Sequence, residues 1–541
     1  MTEYDFIIVG AGSAGCVLAN RLSADPRNRV CVVEAGPSDK PVLTRFKVDM
    51  PVGNTLLLSS ATFNWSYVYE GAEGLHRADI LAPRGRLAGG SSSLNGMVYM
   101  RGHRSDYDGW AAQGNPGWAY ADVLPYFKRH EHREAGGDEF HGTGGELNVA
   151  KLRWLNPLTQ AFLAAAGETQ YPANDDFNGA RQDGFGPNDV TQKNGQRWSA
   201  ARAFLDPALR RPNLDVLYDA LTLRVRLEGK RATGVDVRVG GETRSLTARR
   251  EVILAAGAFN SPHLLMLSGI GPGASLAPHG ISVLHELPGV GRNLQDHAAA
   301  WVNAEDRSGR SFALTARAMP WLAKGLASYV FARQGPFTSN NVEAGGFIRT
   351  EPDLEAPDIQ FTFMPAMKDF SRWITHRHAF GINACLLRPK SRGHIELKSA
   401  DPSAAPVLHP RFLESDDDVA RLVQGIRVAR QIIAAPAFVG VRGEEIRPGP
   451  HVTTTAQLVD YLRQNLVTIF HPAGTCKMGP HSDEAAVVDP RLRVHGLEGL
   501  RVIDASIMPT VTSGNTNAPT MMIAERGAAF VLADNGTARI Q

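Results

Sequence analysis

The segment "YDFIIVGAGSAG", residues 4–15, decides the fold of this chain. Residues 4–9 are short, mostly apolar and rich in aromatic and β-branched side chains, and they end at a glycine, which predicts a buried strand. Residues 13–23 are predicted as a helix, and residues 29–34 repeat the buried-strand pattern. The sequence therefore predicts a βαβ unit at the start of the chain.

Three glycines, Gly10, Gly12 and Gly15, lie between the first strand and the helix. In this arrangement the first glycine permits a tight turn, the second lets the backbone approach an anion, and the third allows close packing of the helix. The first N–H groups of the helix, around Ser13 and Ala14, have no partner inside the helix and can bind a pyrophosphate. The loop therefore predicts a phosphate cradle, with an ordinary glycine-rich turn as the alternative.

Glu34 closes the second strand, 19 residues after Gly15, and Ala35 follows it. A carboxylate at this place can accept hydrogen bonds from both hydroxyls of a ribose. Together with the glycine loop, it predicts a dinucleotide site. The pattern alone does not distinguish FAD from NAD.

Composition excludes several classes of protein. The 541 residues carry 57 basic and 55 acidic side chains, a net charge of +2, so no general field favours nucleic acid. Four scattered cysteines and no CxxC pair predict neither a disulfide framework nor a zinc site, and they fit a reducing cytosol. Neither a secretion signal nor an apolar run of about 18 residues is recognised. We expect a cytoplasmic protein without a transmembrane segment, with peripheral contact to the inner membrane left open.

Strand-like apolar runs recur far from the first. "EVILAAGA" (251–258) and "LRVIDAS" (500–506) predict that one sheet is assembled from distant segments, and "VDVRVGGETRSLTA" (235–248) predicts a hairpin about Gly-Gly. Residues 306–467 instead mix strands such as "PDIQFTFM" (357–364) with helices such as "DDDVARLVQGIRVARQIIA" (416–434). The predicted fold class is α/β (α+β). We expect a discontinuous first domain of residues 1–155, 200–305 and 468–541, covered by a second of residues 156–199 and 306–467.

Two longer segments carry a family resemblance. "GRLAGGSSSLNGMVYMRG" (85–102) and "GAFNSPHLLMLSGIG" (257–271) resemble the two signatures of the glucose-methanol-choline (GMC) flavin oxidoreductases. "PGVGRNLQDH" (288–297), "FHPAGTCKMG" (470–479) and "RVIDASIMPTVTSGNTNAPTMMIAE" (501–525) follow in the family's order, so the resemblance covers nearly the whole chain. It implies FAD as the cofactor, a Rossmann-like FAD-binding domain, and a substrate-binding domain of antiparallel sheet plus helices.

The loop at residues 89–93 lacks bulky side chains and suits backbone contact with a flat ring, which the family implies is the isoalloxazine. One departure is Ala88, where the family usually has a branched residue. Leu94 stands where some relatives link FAD through a histidine, so we expect non-covalent FAD, and Leu94–Tyr99 is expected to be strand-like. The resemblance predicts cofactor contacts, besides the first loop, at Gly89, Gly90, Ser91, Asn95, Gly96, Met97, Val98, Asp504, Ala505, Asn515 and Asn517.

His471 lies in a turn of Pro, Ala and Gly, where a histidine can be a base, a metal ligand or a packed ring. No second Cys/His pair stands at ligand spacing beside Cys476, so we expect no metal. The resemblance implies that His471 is the base that takes the proton of an alcohol, and that Asn515 is its partner. His297 is expected to be structural, with a catalytic role as the alternative.

The predicted substrate pocket combines three segments. Phe470 precedes the base and could form an apolar wall of the pocket. Val98, in the segment predicted to contact the flavin, is expected to line the pocket as well. One face of "FTFMPAM" (361–367) could line the pocket through Phe361 and Phe363, with ordinary core packing as the alternative.

The resemblance implies oxidation of a primary alcohol, aliphatic or aromatic, to the aldehyde by hydride transfer to flavin N5. The acceptor of the electrons would be a quinone, a dye or O2, so an alcohol dehydrogenase and an alcohol oxidase are both open. Choline is the alternative substrate, but neither an aromatic cage nor a carboxylate for its trimethylammonium group is recognisable. A lyase that holds FAD without redox use is a minor alternative.

Overall fold

The computed structural model describes residues 2–70, 75–76, 79–367 and 376–536. Its helices are α1 Ser13–Leu22, α2 Val42–Asp49, α3 Asn54–Leu58, α4 Arg104–Ala112, α5 Tyr120–His130, α6 Pro157–Glu168, α7 Asp206–Ala208, α8 Gly257–Leu267, α9 Gly273–Leu276, α10 Met319–Ala332, α11 Asp416–Ala434, α12 Thr455–Asn465 and α13 Asn517–Asp534.

The strands are β1 Thr2–Val9, β2 Val30–Val33, β3 Tyr67–Glu70, β4 Asp79–Ala82, β5 Glu131–Arg133, β6 Leu147–Lys151, β7 Gly184–Pro187, β8 Asp189–Val190, β9 Gln192–Lys193, β10 Gln196–Arg197, β11 Leu214–Leu217, β12 Ala220–Glu228, β13 Arg231–Val239, β14 Glu242–Leu254, β15 Ile270–Gly271, β16 His285–Glu286, β17 Ala298–Asp306, β18 Ala344–Ile348, β19 Ile359–Met364, β20 Ala379–Leu386, β21 His394–Glu396, β22 Val407–His409, β23 Arg442–Arg447, β24 Val467–Thr468 and β25 Leu500–Val502. The α/β (α+β) prediction is confirmed.

The first large sheet has the strand order β11-β2-β1-β14-β13-β12, and β25 also pairs with β14. The strands β11, β2, β1, β14 and β25 run parallel, whereas β13 forms the predicted antiparallel hairpin with β14. Residues near both ends of the chain thus share one sheet, as the buried apolar runs predict. Parallel strands expose their carboxyl ends at one edge, where α/β proteins bind ligands.

The second large sheet is antiparallel, with the order β23-β17-β20-β19-β18-β7, and β24 adds to β17. Its β17 strand, Ala298–Asp306, was assigned to the first domain by the sequence boundary at residue 305. The strand pairs, however, with β20 over residues 299–305 and with β23 over residues 303–306. We propose a two-domain division that places β17 with the second sheet.

One face of this second sheet packs into the core. On β19, Phe361 stacks on Phe185 at 5.6 Å between ring centroids, and Phe363 stacks on Phe162 of α6 at 4.7 Å. Both β19 phenylalanines are fully buried. Because side chains alternate along a strand, the residues between them face the opposite way, toward the first sheet.

The segment Leu94–Tyr99 is not a strand, contrary to expectation. It follows a 3-10 turn at Gly90–Ser93 and makes a single bridge, between Val98 and Val190. Met97 has a positive φ of 58°, which interrupts an extended backbone. The apolar side chains of this segment are therefore explained by burial, and the segment does not pair as a strand of a sheet.

We predict that Phe363→Ala lowers the free energy of unfolding by about 3–5 kcal/mol, because it leaves a cavity in a packed aromatic core. Thr362→Ala is the matched control on the opposite face of the same strand and should cost less than about 1 kcal/mol. Chemical denaturation of both variants checks this. Equal losses would contradict the assignment of the two faces.

Candidate active site

A cavity of about 540 Å³ lies between the two large sheets. At one end it is lined by the carboxyl ends of the parallel strands, and at the other by the face of the second sheet that points away from its core. His471 and Asn515 line it where the two ends meet. The cavity thus joins the predicted dinucleotide cradle to the predicted base.

The glycine loop has the close contacts that its pattern predicts. A Cβ on Gly15 would lie 1.8 Å from the carbonyl oxygen of Gly10, so any larger residue would push α1 off the strand. A Cβ on Gly90, whose φ is +51°, would lie 2.7 Å from Cα of Gly12, so the two glycine loops touch. Two loops that lie 78 positions apart in the sequence, at Gly12 and Gly90, can therefore touch because neither glycine has a side chain.

Glu34 lines the same end of the cavity. Its two carboxylate oxygens accept hydrogen bonds from the backbone N–H groups of Ala11 and Gly36, each at 2.8 Å. Burial raises the pKa of Glu34 to about 7, and these two N–H donors limit the rise. The carboxyl group is thus fixed in place at the position where a ribose is expected.

Asp504 is buried and is held by protein groups. Its carboxylate accepts from the N–H of Gly257 at 2.8 Å, from the hydroxyl of Ser261 at 2.5 Å, and from the N–H and hydroxyl of Ser506 at 2.8 and 2.6 Å. Burial raises the pKa of Asp504. The side chain therefore anchors the start of α8 to the segment after β25, beside the cavity.

Two helices begin at the cavity without a side-chain cap. The first residues of α1 and of α13 line it, and neither Gly12 nor Thr516, at the N-cap positions, caps its helix through a side chain. The hydroxyl of Ser13 donates to the side-chain oxygen of Asn517 at 2.7 Å and holds the two helix starts together. Free N–H groups at helix starts bind phosphate. With the carboxyl group of Glu34 at the same end, the residues present fit a dinucleotide.

Most of the residues predicted from the sequence line this cavity. They are Gly10, Gly12, Ser13, Ala14, Glu34, Ala35, Gly90, Ser91, Asn95, Gly96, Met97, Val98, Phe470, His471, Asp504, Ala505, Asn515 and Asn517.

Four predicted residues do not line it. Gly15 and Gly89 lie behind the loops that they shape, and a Cβ on Gly89 would meet Ser93 Oγ at 2.3 Å. Phe361 and Phe363 face the core of the second sheet, so their assignment to the substrate pocket was wrong. The alternation of β19 instead directs Gln360, Thr362 and Met364 to the cavity.

His471 and Asn515 are in direct contact. The side-chain nitrogen of Asn515 lies 3.1 Å from Nε2 of His471, and Nδ1 of His471 lies 3.0 Å from Nδ1 of His297. Burial, and then the electrostatic effects of the nearby His297 and Arg84, lower the pKa of His471 well below its ordinary value. The imidazole is therefore neutral at neutral pH.

The position of its proton follows from the neighbouring groups. Burial lowers the pKa of His297 to about 4, so this ring carries one N–H, which Nε2 donates to the carbonyl of Leu387 at 3.2 Å. The side-chain nitrogen of Asn515 can only donate, so Nε2 of His471 accepts and the single proton of this ring lies on Nδ1, between the two rings. The lone pair of His471 then lies on Nε2, toward Asn515 and the cavity.

The contact of His297 with His471 was missed by sequence reasoning, which preferred a structural role for His297 to a catalytic one. Asp296, the residue before it, accepts from the backbone N–H of both His297 and His471 at 2.7 Å. The adjacency of Asp and His in "LQDH" was the available signal, but nothing in the sequence places it beside residue 471. The polar residues on the second sheet were missed for the same reason.

Comparison with known proteins agrees with this architecture. Residues 4–299 and 389–524 match the two family models described as GMC oxidoreductase. An alcohol dehydrogenase (acceptor) of Pseudomonas putida is 45% identical over 98% of this chain and 96% of its own length. An oxygen-dependent choline dehydrogenase of Brucella melitensis is 42% identical over 99% of this chain and 97% of its own. The crystal structure of pyridoxine 4-oxidase from Mesorbium loti superposes with a TM-score of 0.87 at 31% identity, over 97% of this chain and 98% of that one.

The family matches give the class of protein to which this two-sheet fold and its cavity belong. This chain belongs to the GMC oxidoreductase family and is an enzyme of that family. Within the described ranges, no helix combines the length and apolar character needed to cross a membrane.

Proposed function

We propose that this enzyme oxidises an uncharged primary alcohol to its aldehyde with FAD, and that His471 is the base. The observation that carries the proposal is the lone pair on His471 Nε2, which lies at the cavity and accepts from the side-chain nitrogen of Asn515, where a substrate hydroxyl can take its place. The resemblance to an alcohol dehydrogenase along nearly the whole chain supports the reaction class. Bound FAD would supply the hydride acceptor.

The residues proposed to hold FAD are those of the two touching glycine loops, with Glu34 at the ribose and the starts of α1 and α13 at the pyrophosphate. Leu94 is buried among apolar side chains and lines the cavity, and it offers no nucleophilic nitrogen. We therefore infer non-covalent binding. Acid precipitation should leave the yellow cofactor in solution, whereas a covalent link would carry it into the pellet.

In this proposal His471 Nε2 accepts the hydroxyl proton of the substrate as the C–H bond breaks. A group hydrogen-bonded to Nε2 also lies within reach of the Asn515 amide, which can donate to the oxygen as negative charge develops there. The Nδ1–H of His471 stays bound to His297 throughout, so the ring cannot turn its lone pair away from the cavity.

The comparisons leave two kinds of substrate open, an uncharged alcohol and choline, because one relative is an alcohol dehydrogenase and the other a choline dehydrogenase. The described residues that line the second-sheet end of the cavity include Trp301, Gln360, Thr362, Met364 and Asn383, and none of these is charged. A trimethylammonium group is usually bound by a carboxylate or by several aromatic rings. An uncharged alcohol is therefore favoured over choline.

For the electron acceptor, we favour a quinone or similar molecule over O2. The Pseudomonas putida relative is a dehydrogenase described by an acceptor, whereas the pyridoxine enzyme is an oxidase. Mixing the enzyme with benzyl alcohol and comparing peroxide formation with dye reduction separates the two.

We predict that His471→Ala slows anaerobic bleaching of the flavin by an alcohol about 10²- to 10⁴-fold, because the proton acceptor is lost. FAD should stay bound, since the cradle lies elsewhere. His481→Ala, in a surface turn, is the control and should be unaffected. Bleaching at the wild-type rate in the His471 variant would contradict the assignment of the base.

The pH profile gives an independent check. Because burial lowers the pKa of His471, the neutral base should persist as the pH falls through the ordinary histidine value of about 6.5. Activity, measured as kcat/KM, should therefore decline only below that value. A half-loss at pH 6.5 or above would show that the base titrates like an exposed imidazole.

We predict that His297→Ala lowers kcat about 10-fold or more with little change in KM, because His471 Nδ1–H loses its acceptor and the other tautomer becomes populated. His297→Asn is the conservative variant, since its side-chain oxygen can take the place of Nδ1 and should rescue part of the rate. If the two variants are equally slow, His297 does not act through the hydrogen bond.

We infer peripheral contact with an anionic bilayer through a surface formed by α2 and α10. The helices are adjacent, since the Tyr329 hydroxyl donates to the carbonyl of Asp49 at 3.2 Å. Val42, Leu43 and Phe331 are 82, 76 and 89% exposed. Exposed apolar side chains on two adjacent helices are the feature on which this inference rests.

We predict that the double variant Leu43→Ser, Phe331→Ser abolishes flotation with vesicles of phosphatidylglycerol and phosphatidylethanolamine, because insertion of these side chains drives binding. Val439→Ser, a 72% exposed residue of another segment, is the control and should float like wild type. A wild-type protein that stays at the bottom of the gradient contradicts membrane contact.

A further inference from the structure

The second-sheet end of the cavity is built from polar side chains with unused hydrogen-bonding atoms. Nε1 of Trp301, Oε1 of Gln360, Oδ1 of Asn340, and both side-chain atoms of Asn383 are buried and have no protein partner. All four residues line the cavity, and each is at least nine-tenths buried. A buried polar group without a partner is costly, so these atoms require a partner inside the cavity.

These residues form an ordered surface because the strand register fixes them. Trp301 on β17, Asn383 on β20 and Thr362 on β19 stand directly side by side. Gln360 lies in the row nearer to His297, opposite Cys385, and two residues along a strand correspond to about 7 Å. One row of Trp301, Asn383 and Thr362 therefore lies farther from His297, and Gln360 adds a polar group in the row nearer to it.

Asn340 continues this polar surface toward the flavin loop. Its side-chain nitrogen donates to the carbonyl of Gly96 at 2.7 Å, which fixes the amide and leaves the oxygen free. Apolar walls remain on other sides, at Met364, Val342 and Phe470. The pocket thus offers neutral donors and acceptors on one side and apolar contact on the others.

From this we propose that the physiological substrate is a primary alcohol that bears a second, neutral hydrogen-bonding group on an apolar frame, such as a ring with an amide, carbonyl or hydroxyl substituent. This inference rests on the proposed function and narrows its substrate. The second group occupies the row of Trp301 and Asn383 while the carbinol carbon lies at His471 and Asn515. A plain alkanol leaves the amides of Gln360 and Asn383 buried without a partner.

The test compares two alcohols of similar shape, 4-(hydroxymethyl)benzamide and 4-isopropylbenzyl alcohol, by anaerobic flavin bleaching. We expect kcat/KM to favour the amide by about 10-fold or more. Asn383→Leu and Gln360→Met keep side-chain volume and remove the polar atoms, so each should lower kcat/KM for the amide more than for the isopropyl compound and reduce this preference. Ile382→Val, on the core face of β20, controls for disturbance of the strand and should leave the preference intact.

Preference for the isopropyl compound, or an unchanged preference in both polar variants, would overturn the inference and show that solvent satisfies these atoms. If neither alcohol bleaches the flavin, the proposed function fails separately. The substrate class is then judged by binding of the two corresponding aldehydes, read from Trp301 fluorescence with Trp301→Phe as the blank. Tighter binding of 4-formylbenzamide, lost in Asn383→Leu, supports the inference, and equal binding of the two aldehydes overturns it.

Discussion

The hydrogen bond between Nδ1 of His471 and Nδ1 of His297 is the constraint on which the site depends. Two nitrogens can share only one proton, and the carbonyl of Leu387 decides which ring provides it, because it takes the single N–H of His297. The lone pair of His471 is thereby fixed on Nε2, at the cavity, where it accepts from Asn515. A backbone carbonyl of the second sheet thus sets the chemistry of a residue carried by a loop.

That loop is held by a buried carboxylate. Asp296 accepts from the backbone N–H of His297 and His471, and from the hydroxyls of Tyr69 and Thr468 at 2.7 and 2.6 Å. Four donors offset much of the desolvation that raises the pKa of this group. Segments far apart in sequence are thus tied to one charge, which gives the turn around His471 the rigidity that a positioned base requires.

The sequence predicted local elements well and their orientation poorly. The βαβ unit, the hairpin about Gly240 and the helix Asp416–Ala434 follow from local pattern and are present with little change. His471 and Asn515 were assigned by resemblance, and the structure brings them together. Period-two alternation shows that β19 has two faces, but which face meets the core depends on partners from distant segments.

The same limit applies to His297 and to the domain boundary. Whether a buried histidine is packed or hydrogen-bonded to a second ring depends on a contact across 174 residues, which no local pattern encodes. Likewise, β17 follows directly on His297 without a turn signal, so its membership of the second sheet is decided by pairing with β20. Tertiary pairing overrides local pattern at both places.

Burial of His471 has two opposing effects on its proposed role. It keeps the ring neutral and available as a base, but it also weakens the ring as a proton acceptor, because the desolvation that lowers its pKa destabilises the imidazolium. Beside a neutral alcohol, the imidazolium gains no attraction that would offset its desolvation. Beside an oxygen that is becoming negative, it gains an attraction that is strong in a buried site. Proton transfer is therefore favoured only while charge develops on the oxygen, which couples it to cleavage of the C–H bond.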